Sequence, residues 1–277
     1  MHDEPQKDPF LSQDCFAGQL AVVTGGGTGL GLEISRGLAS RGAQVAILSR
    51  DPSHHCAFLE EAEERGWSVF SEAVDVREAK QVQRAAEAIR ERAGVAKILV
   101  NNAAGNFVCP SERLSPNAWR AVLGIVLDGT FFCSREFGRH MLAGEGGQIF
   151  NIVATYAWTG MAGVVHSASA KAGVLAMTRT LAAEWAGRGV RVNAIAPGPF
   201  HSEGASGNLW PDQAAEDAIR EGIPLKRFGT AQEIAQHCIY MLSPMCSWMT
   251  GECAVVDGGS SLPRPWWTPG ERLARPR

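Results

Sequence analysis

The stretch TGGGTGLG, residues 24–31, directly follows the apolar run LAVVT and opens a segment whose apolar residues have helical spacing. Its glycines at 25, 29 and 31 form a Gly-x-x-x-Gly-x-Gly turn. A turn of this kind between a strand and a helix directs the helix N-terminus at a phosphate group. We expect Gly25 to permit the tight turn, Gly29 to let the backbone approach a pyrophosphate, and Gly31 to let the helix pack closely. The stretch therefore predicts a dinucleotide site after the first strand.

The rest of the chain continues this alternation of short apolar runs and amphipathic segments. Strands are predicted at 20–24, 44–49, 69–74, 97–102, 148–153, 190–195 and 253–257. Helices are predicted at 29–41, 55–65, 78–93, 115–142, 166–187 and 230–243, with a short one in AAEDAIREG (214–222). Several strand runs are continuously apolar, as in strands that helices cover on both faces. The pattern predicts an α/β fold: a single-domain, doubly wound, Rossmann-type, seven-stranded parallel sheet with helices on both faces.

One Rossmann domain is expected to span residues 18–262, because no second boundary interrupts the alternation. Residues 1–17 are interpreted as a flexible N-terminal segment and residues 263–277 as a C-terminal tail. Within the domain, residues 198–229 contain a Gly/Ser-rich loop and the short helix, and long insertions of this kind are often substrate lids. The tryptophan pair of the tail is expected either to be disordered or to pack on another surface, such as a neighbouring subunit.

Composition excludes several classes of protein. The chain has 277 residues, 45% of them hydrophobic, and a net charge of −3, which leaves no basic footprint for nucleic acid or a polybasic membrane contact. No apolar run approaches the roughly 20 residues of a membrane span. The acidic start has no apolar signal core, and the end, RLARPR, is not an address of the Ser-Lys-Leu type. We therefore expect a cytoplasmic protein with seven free cysteines and no metal site.

The end of the second predicted strand, LSRD, indicates which dinucleotide is bound. Ser49 stands where an NAD site has a carboxylate, and the next residue is Arg50. A cation there suits the 2′-phosphate of NADP, so NADPH is the expected cofactor. Asp51 argues weakly for NAD, but it also suits the N-cap of the following helix. Asp75, after the third strand, is placed to accept from the adenine amino group, to cap the next helix, or to do both.

In the order of its motifs the chain resembles the short-chain dehydrogenase/reductase family. TGGGTGLG, NNAAG (101–105), PGP (197–199) and VVDGG (255–259) stand where this family has them, over about 240 residues. The resemblance implies an NADPH-dependent oxidoreductase and a homotetramer in which helices 115–142 and 166–187 pack across a two-fold axis. The predicted cofactor contacts are Gly25, Gly27, Thr28, Gly29, Leu30, Gly31, Ser49, Arg50, Asp75, Val76, Asn102, Ala103, Ala104, Gly105, Lys171, Pro197, Gly198 and Phe200.

Three positions depart from the ordinary members, which use a Ser on the fifth strand, Tyr-x-x-x-Lys on the next helix and an Asn on the preceding helix. Here these positions hold Ala154, Ser167 and Asp128, whereas Lys171 is retained. With these departures the chain resembles one branch of the family, the 2,4-dienoyl-CoA reductases. The likeness lies in AAGNFVCPSERLSPNAW (103–119), TYAWTG (155–160), HSASAKAGVLAMTRTLAAEW (166–185) and PGPFHSEGA (197–205).

This resemblance implies catalytic roles for four residues. Tyr156 matches an acid at the end of the fifth strand in mitochondrial members, and Asn106 matches a second donor to the substrate. Ser167 and Lys171 match the supporting pair. The chain has two tyrosines, and the other, Tyr240, lies in the pattern of a packing helix. Ser167 also suits an ordinary helix N-terminal residue, and this alternative stays open.

Substrate contacts are also implied by the resemblance. Besides Tyr156, the matching positions are Arg77, Phe107 and Ser115. Where some members have an Arg in the loop after PGP, this chain has Asn208. Candidates for the missing cation are Arg220, Lys226 and Arg227.

The implied reaction is transfer of hydride from NADPH to C5 of a conjugated dienoyl-CoA thioester. Negative charge then accumulates on the thioester oxygen, to which Tyr156 and Asn106 would donate hydrogen bonds. Protonation at C2 gives a 3-enoyl-CoA, a step in the β-oxidation of unsaturated fatty acids. Two alternatives stay open: another short-chain reductase acting on enoyl or carbonyl substrates, and a catalytically degenerate NADP-binding sensor or partner subunit.

Overall fold

The computed structural model of the chain describes residues 12–201 and 212–263. Its strands are β1 Leu20–Thr24, β2 Gln44–Ser49, β3 Val69–Ala73, β4 Ile98–Asn101, β5 Gly147–Ile152, β6 Val190–Pro197, β7 Phe200–His201, β8 Gly229–Thr230 and β9 Cys253–Val256. A seven-stranded sheet has the order β3-β2-β1-β4-β5-β6-β9, and every neighbouring pair is parallel. The short strands β7 and β8 form a separate parallel pair. The predicted seven-stranded parallel sheet is confirmed.

Helices occupy most of the connections between these strands. In the described ranges the α-helices are α1 Gly29–Ala39, α2 Ser53–Arg65, α3 Ala79–Ala93, α4 Pro116–Leu123, α5 Gly129–Ala143, α6 Tyr156–Thr159, α7 Val165–Trp185, α8 Gln213–Gly222 and α9 Ala231–Leu242. Local sequence explains where some of these helices begin or end. Thr230 and Glu233 form a capping box at the start of α9. Gly66, with a φ of 68°, ends α2 in the left-handed conformation.

The two faces of the sheet carry separate hydrophobic cores, because side chains alternate along each strand. Val23 faces one core together with Ile34 of α1 and Ile239 of α9. Its neighbour Val22 faces the other core with Phe137 of α5. None of these five side chains is more than 2% exposed, and burial of a side chain of this size stabilises a fold by about 1.5–3 kcal/mol. The predicted helix layers on both faces are confirmed.

The predicted helix 115–142 is interrupted in the structure. A π-helical turn, Gly124–Asp128, joins α4 to α5. A π turn adds one residue and leaves the apolar spacing nearly helical, so the sequence pattern does not reveal it. An ideal Cβ at Gly129 would lie 2.8 Å from Cγ2 of Val76. The lack of a side chain at Gly129 therefore lets the loop after β3 pack against this turn.

The family resemblance implies that Tyr156 lies at the end of the fifth strand. In the structure Tyr156 instead begins a short helix. β5 ends at Ile152, four positions earlier. The backbone N–H of Ala157 donates to the carbonyl oxygen of Ala154 at 3.0 Å. The backbone N–H of Gly160 donates to the carbonyl oxygen of Tyr156 at 3.1 Å. This turn, α6, directs the tyrosine toward the start of α7.

The buried core includes part of the predicted N-terminal segment. Phe16 is fully buried, and its backbone N–H donates to the carbonyl of Arg41 at 3.1 Å. Residues 198–229 contain β7, α8 and β8 besides the predicted loop. Outside the described residues lie the rest of the N-terminal segment, the part of the loop with Asn208, and the tail with its tryptophan pair. Among the helices described, none combines the length and apolar character needed to cross a bilayer.

Candidate active site

The glycine loop between β1 and α1 is shaped by close backbone contacts. Gly25 has a φ of 64°, in the left-handed region. An ideal Cβ at Gly31 would lie 2.1 Å from the carbonyl oxygen of Gly25 and 2.5 Å from Nδ2 of Asn102. A Cβ at Gly27 would lie 2.0 Å from the carbonyl oxygen of His54, in the first turn of α2. Side chains are therefore excluded at 27 and 31, and the backbone packs tightly there.

The N-terminus of α1 fits an anionic group. Thr28 is the N-cap, but its side chain makes no capping hydrogen bond, and the first turn contains no acidic residue. The first N–H groups of a helix have no intrahelical acceptor, and the helix dipole favours negative charge there. Gly29 begins the helix with a φ of 52°, and Leu30 is buried beneath the turn. These features fit the pyrophosphate of a dinucleotide.

A buried threonine joins the ends of β1 and β4. Thr24 Oγ1 accepts from the backbone N–H groups of Asn102 and Ala103, each at 2.9 Å. Asn102 Nδ2 donates to the carbonyl oxygens of Thr24 at 3.0 Å and Gly25 at 3.2 Å. These bonds hold the predicted ribose-lining stretch beside the glycine loop. Thr24 is not among the predicted site residues, and its one signal in the sequence is a polar residue at the end of an apolar strand.

Arg50 directly follows Ser49, the last residue of β2, as the sequence predicts. Its side chain is exposed, and within residues 12–201 and 212–263 it forms no salt bridge. Asp51 accepts from the backbone N–H of Ser53 at 2.9 Å and from the Ser53 hydroxyl at 2.8 Å. These hydrogen bonds hold the pKa of Asp51 below its ordinary value. Asp51 therefore stabilises the start of α2, and the guanidinium of Arg50 is available to a phosphate.

Asp75 and Arg77 form an ion pair with each other. The Arg77 guanidinium donates to both carboxylate oxygens of Asp75, at 2.5 Å for the shortest bond, and this lowers the pKa of Asp75. The sequence assigns Asp75 to the adenine and Arg77 to the substrate, whereas the structure places them together. Val76 is buried against Gly129, so its side chain packs in the core. Glu78, rather than Asp75, is the N-cap of α3.

The predicted contacts after β6 lie at the carboxyl edge of the sheet. Pro197 ends β6, and Phe200 begins β7. Gly198 donates its N–H to the carbonyl of Val256 at 2.9 Å. An ideal Cβ at Gly198 would lie 2.5 Å from Cα of Asp257. The absence of a side chain at 198 therefore lets this segment lie against the end of β9.

The Tyr156 phenol and the Ser167 hydroxyl are hydrogen-bonded at 3.0 Å. The tyrosine comes from α6 and the serine from the first turn of α7. Burial raises the pKa of Tyr156, and the hydrogen bond to Ser167 offsets part of this rise. The family resemblance implies that Ser167 and Lys171 form a supporting pair. The structure instead pairs Ser167 with Tyr156.

Lys171 is buried one turn further along α7. Its Nζ donates to the carbonyl oxygen of Ile152, the last residue of β5. Burial lowers the pKa of Lys171 to about 8.

The loop after β4 carries Asn106 and Phe107, preceded by the exposed Ala104 and Gly105. The Phe107 ring stacks on His166, with ring centroids 4.4 Å apart and planes 22° apart. Asn106 Oδ1 accepts from the backbone N–H of Phe107 at 2.9 Å. In the described part of the chain no group accepts from its Nδ2. The amide donor of Asn106 is therefore free to meet a substrate.

His166 is a buried residue beside the candidate site and is not among the predicted site residues. It is 0% exposed, and among the described residues neither ring nitrogen has a hydrogen bond of ordinary geometry. Burial lowers the pKa of His166, and a backbone contact with Phe107 offsets part of this. The ring therefore favours its neutral form, in which it stacks beneath Phe107. Its position directly before Ser167 is the one sequence signal that marks it.

Other predicted substrate residues have local partners. Ser115 is the N-cap of α4, and its hydroxyl accepts from the backbone N–H of Ala118 at 3.1 Å. The three candidate cations form ion pairs: Arg220 with Asp217 at 2.5 Å, Lys226 with Glu221 at 3.4 Å and Arg227 with Glu233 at 2.6 Å. None of the three is therefore an unpaired cation for a substrate phosphate.

A buried polar network lies beneath the site. Asn101 of β4 donates from Nδ2 to Oδ1 of Asn151 on β5 at 2.8 Å and to Oγ of Ser134 at 2.9 Å. Asn151 Nδ2 donates to Oγ1 of Thr178 on α7 at 2.9 Å. The network therefore connects the two strands before the candidate residues to the helix that carries Ser167 and Lys171. Among the described residues, no group of three or more acidic, histidine or cysteine side chains could hold a metal ion.

The chain is similar to a family model and to known proteins that are named as reductases. A family model described as enoyl-(acyl carrier protein) reductase matches residues 25–261. A probable 2,4-dienoyl-CoA reductase of Bacillus subtilis (strain 168), named as (2E)-enoyl-CoA-producing, is 42% identical over 246 residues, 87% of this chain and 96% of the relative. A peroxisomal 2,4-dienoyl-CoA reductase of Pongo abelii, named as (3E)-enoyl-CoA-producing, is 38% identical over 253 residues, 91% of this chain and 87% of the relative.

A solved structure adds evidence on the cofactor. The gluconate 5-dehydrogenase of Burkholderia cenocepacia J2315, in complex with NADP and tartrate, aligns with a TM-score of 0.85 and 31% identity. The alignment covers 90% of this chain and 98% of that protein. This likeness and the glycine loop at the N-terminus of α1 both support binding of NAD(P). The chain belongs to the short-chain dehydrogenase/reductase family and is an NAD(P)-binding oxidoreductase.

Proposed function

We propose that the protein reduces 2,4-dienoyl-CoA thioesters with NADPH. The observation that carries the proposal is the hydrogen bond between Tyr156 and Ser167, one turn of α7 before Lys171. In ordinary family members a tyrosine stands at the position of Ser167. Here a phenol from α6 reaches that position instead, with the serine as its partner. The named dienoyl-CoA reductases at 38% and 42% identity support the same substrate class.

The residues around the glycine loop would hold the dinucleotide. The backbone of Gly25–Gly31 and the N-terminus of α1 fit the pyrophosphate, and Arg50 fits the 2′-phosphate of NADP. Asp75 would accept from the adenine amino group. Lys171 would donate to the nicotinamide ribose. When bound, NADPH supplies the hydride of the reaction.

The catalytic task of the side chains concerns the thioester oxygen. Reduction of the conjugated diene at C5 places negative charge on that oxygen, several bonds away from the reduced carbon. Tyr156 and the Nδ2 amide of Asn106 are the proposed donors to it. A donor aimed at charge that develops in the transition state contributes about 10²–10³-fold to the rate. A phenol on α6 rather than α7 suits the separation between C5, which receives the hydride, and the thioester oxygen.

The environment of Tyr156 suits a proton donor. Burial raises its pKa, so the phenol is protonated at neutral pH, and Ser167 orients its O–H. Protonation of the substrate at C2, by Tyr156 or by a water molecule, would give a 3-enoyl-CoA. The two relatives are named for different products, (2E) and (3E), so the position of the double bond needs a direct test.

The proposed setting also follows from the resemblance. The acyl-CoA substrate would come from the β-oxidation of unsaturated fatty acids, with Arg77 and Phe107 among its contacts. The proposed assembly is a homotetramer in which α4, α5 and α7 pack across a two-fold axis. A cytoplasmic location is proposed from the sequence.

Oxidation of NADPH with 2,4-decadienoyl-CoA tests this function. We expect the wild type to consume NADPH and Tyr156→Phe to lower kcat by about 10²-fold or more, because an oxyanion donor is lost. Tyr240→Phe, which changes the chain's other tyrosine on the exposed face of α9, should keep the full rate. Mass spectrometry and NMR of the product would locate its double bond. The proposal fails if the wild type consumes no NADPH or if Tyr156→Phe retains the full rate.

A further inference from the structure

We propose that an exposed apolar surface beside Tyr156 binds the part of the acyl chain beyond the diene. This inference rests on the proposed function and concerns its chain-length preference. The surface is formed by Val108, Trp158, Met161 and Val165, and is referred to below as the tail surface. An alkyl chain is the occupant to which the chemistry of this surface points.

The four side chains of the tail surface are large, hydrophobic and exposed. Val108 is 52% exposed, Trp158 46%, Met161 52% and Val165 37%. Single exposed hydrophobic residues are common, whereas a contiguous apolar patch marks a binding surface. Two stretches supply all four residues: the loop after β4, and the segment from α6 to the start of α7.

The two stretches contact each other at Gly163. The backbone N–H of Cys109 donates to the carbonyl of Gly163 at 2.8 Å. An ideal Cβ at Gly163 would lie 2.9 Å from Cγ1 of Val108, so the valine lies directly on the segment between α6 and α7. Gly163 has a φ of 81°, which a residue with a side chain rarely adopts. The two stretches therefore form one surface.

The tail surface is continuous with the candidate active site. Trp158 lies on α6 with Tyr156, Val108 follows Phe107, and Val165 begins α7 two residues before Ser167. Beneath it, Phe107 and Ala157 pack against a buried cluster consisting of Val122, Val126, Val153, Ala170, Val174, Ala194 and Ala196. Apolar groups thus extend from the core, past the catalytic candidates, to the exposed side chains.

Charge argues for an alkyl chain at this surface and against the phosphates of CoA. The stretches 103–111 and 154–170 contain no Asp, Glu, Lys or Arg. Burial of a saturated chain becomes more favourable with each CH₂ group that leaves water, and the chain needs no polar partner. A thioester held at Tyr156 and Asn106 would have its alkyl end within reach of Trp158 and Val108, which neighbour those two residues in sequence.

Binding of saturated acyl-CoA thioesters tests the inference without requiring turnover. Isothermal titration with hexanoyl-CoA and myristoyl-CoA, in the presence of NADP⁺, would compare the full-length wild type with Trp158→Ala. We expect the variant to lose about tenfold in affinity for myristoyl-CoA and much less for hexanoyl-CoA. Trp248→Ala is the matched control, since Trp248 is 101% exposed and belongs to a different part of the chain. It should bind both ligands as the wild type does.

The possible outcomes separate this inference from the proposed function. Equal losses of affinity for both ligands in Trp158→Ala would overturn the tail surface. So would a lower oligomeric mass of Trp158→Ala by light scattering, which would identify the surface as a contact between copies. A chain-length-dependent loss without any oxidation of NADPH by dienoyl-CoA would support the tail surface and reject the proposed function.

Discussion

The phenol oxygen of Tyr156 lies 3.0 Å from Oγ of Ser167, although eleven positions separate the two residues in the chain. The contact forms because α6 turns the chain back toward the first turn of α7 after β5 ends. Ser167 is 1% exposed, so its hydroxyl is held in a dry site where a hydrogen bond is strong. We therefore propose that Ser167 acts as a positioning residue for Tyr156.

Removal of the Ser167 hydroxyl should slow the reaction through Tyr156. Ser167→Ala is expected to lower kcat about tenfold, because the loss of one such hydrogen bond costs about 1–1.5 kcal/mol. In a Tyr156→Phe background the same substitution should have little further effect. Measurement of kcat for the two single variants, the double variant and the wild type checks this. Equal effects of Ser167→Ala in both backgrounds would contradict a role through Tyr156.

Lys171 should give cofactor-free protein an unusual dependence of stability on pH. Its pKa is about 8 in the folded protein, against an ordinary value of 10.5. Between these values the unfolded chain binds more protons, so the free energy of unfolding should rise with pH, by up to about 1.4 kcal/mol per pH unit. Below pH 8 the lysine is protonated in both states and adds no slope.

Urea unfolding between pH 7 and pH 10 measures this contribution. Lys171→Met should remove the rise relative to the wild type. Lys80→Met, which changes an exposed lysine on α3, should keep it. Parallel curves for the wild type and Lys171→Met would contradict the prediction.

Arg50 should determine the preference for NADP over NAD. Arg50→Ser is expected to raise the KM for NADPH about tenfold or more and to change the KM for NADH little, because the 2′-phosphate loses a charge-assisted hydrogen bond. Arg65→Ser, which changes an arginine paired with Glu61 in the last turn of α2, is the matched control. A similar rise in KM for both cofactors would show that Arg50 does not distinguish them.

Gly31 should tolerate no side chain. Gly31→Ala is expected to destabilise the fold by about 1–3 kcal/mol, because its Cβ would meet the carbonyl oxygen of Gly25 at 2.1 Å. The variant should also lose the thermal stabilisation that NADPH confers on the wild type. In Gly187→Ala, no heavy atom lies within 4 Å of the new Cβ, and the melting temperature should stay close to that of the wild type. Thermal unfolding with and without NADPH compares the two.

The sheet, the helix layers and the cofactor-binding edge of the sheet can be predicted from the order of residues along the chain. Apolar periodicity is a local property of the chain, so the seven strands and most helices can be predicted within a few residues. The glycine spacing from Gly25 to Gly31 can likewise be read from the sequence, because glycines spaced in this way between a strand and a helix are typical of a dinucleotide-binding turn. The presence of Arg50 after β2 follows from the same strand assignment.

The side-chain pairs at the candidate site become known only from the folded chain. The pairs Tyr156 with Ser167, Asp75 with Arg77, and Phe107 with His166 depend on the path of loops and on side-chain rotamers. The π turn Gly124–Asp128 and the short helix α6 also lie in this part of the structure, and the apolar pattern of the sequence reveals neither of them. A hydrogen bond, however, is lost when the donor–acceptor distance grows by about an ångström. The chemistry of the site therefore depends on packing that periodicity cannot specify.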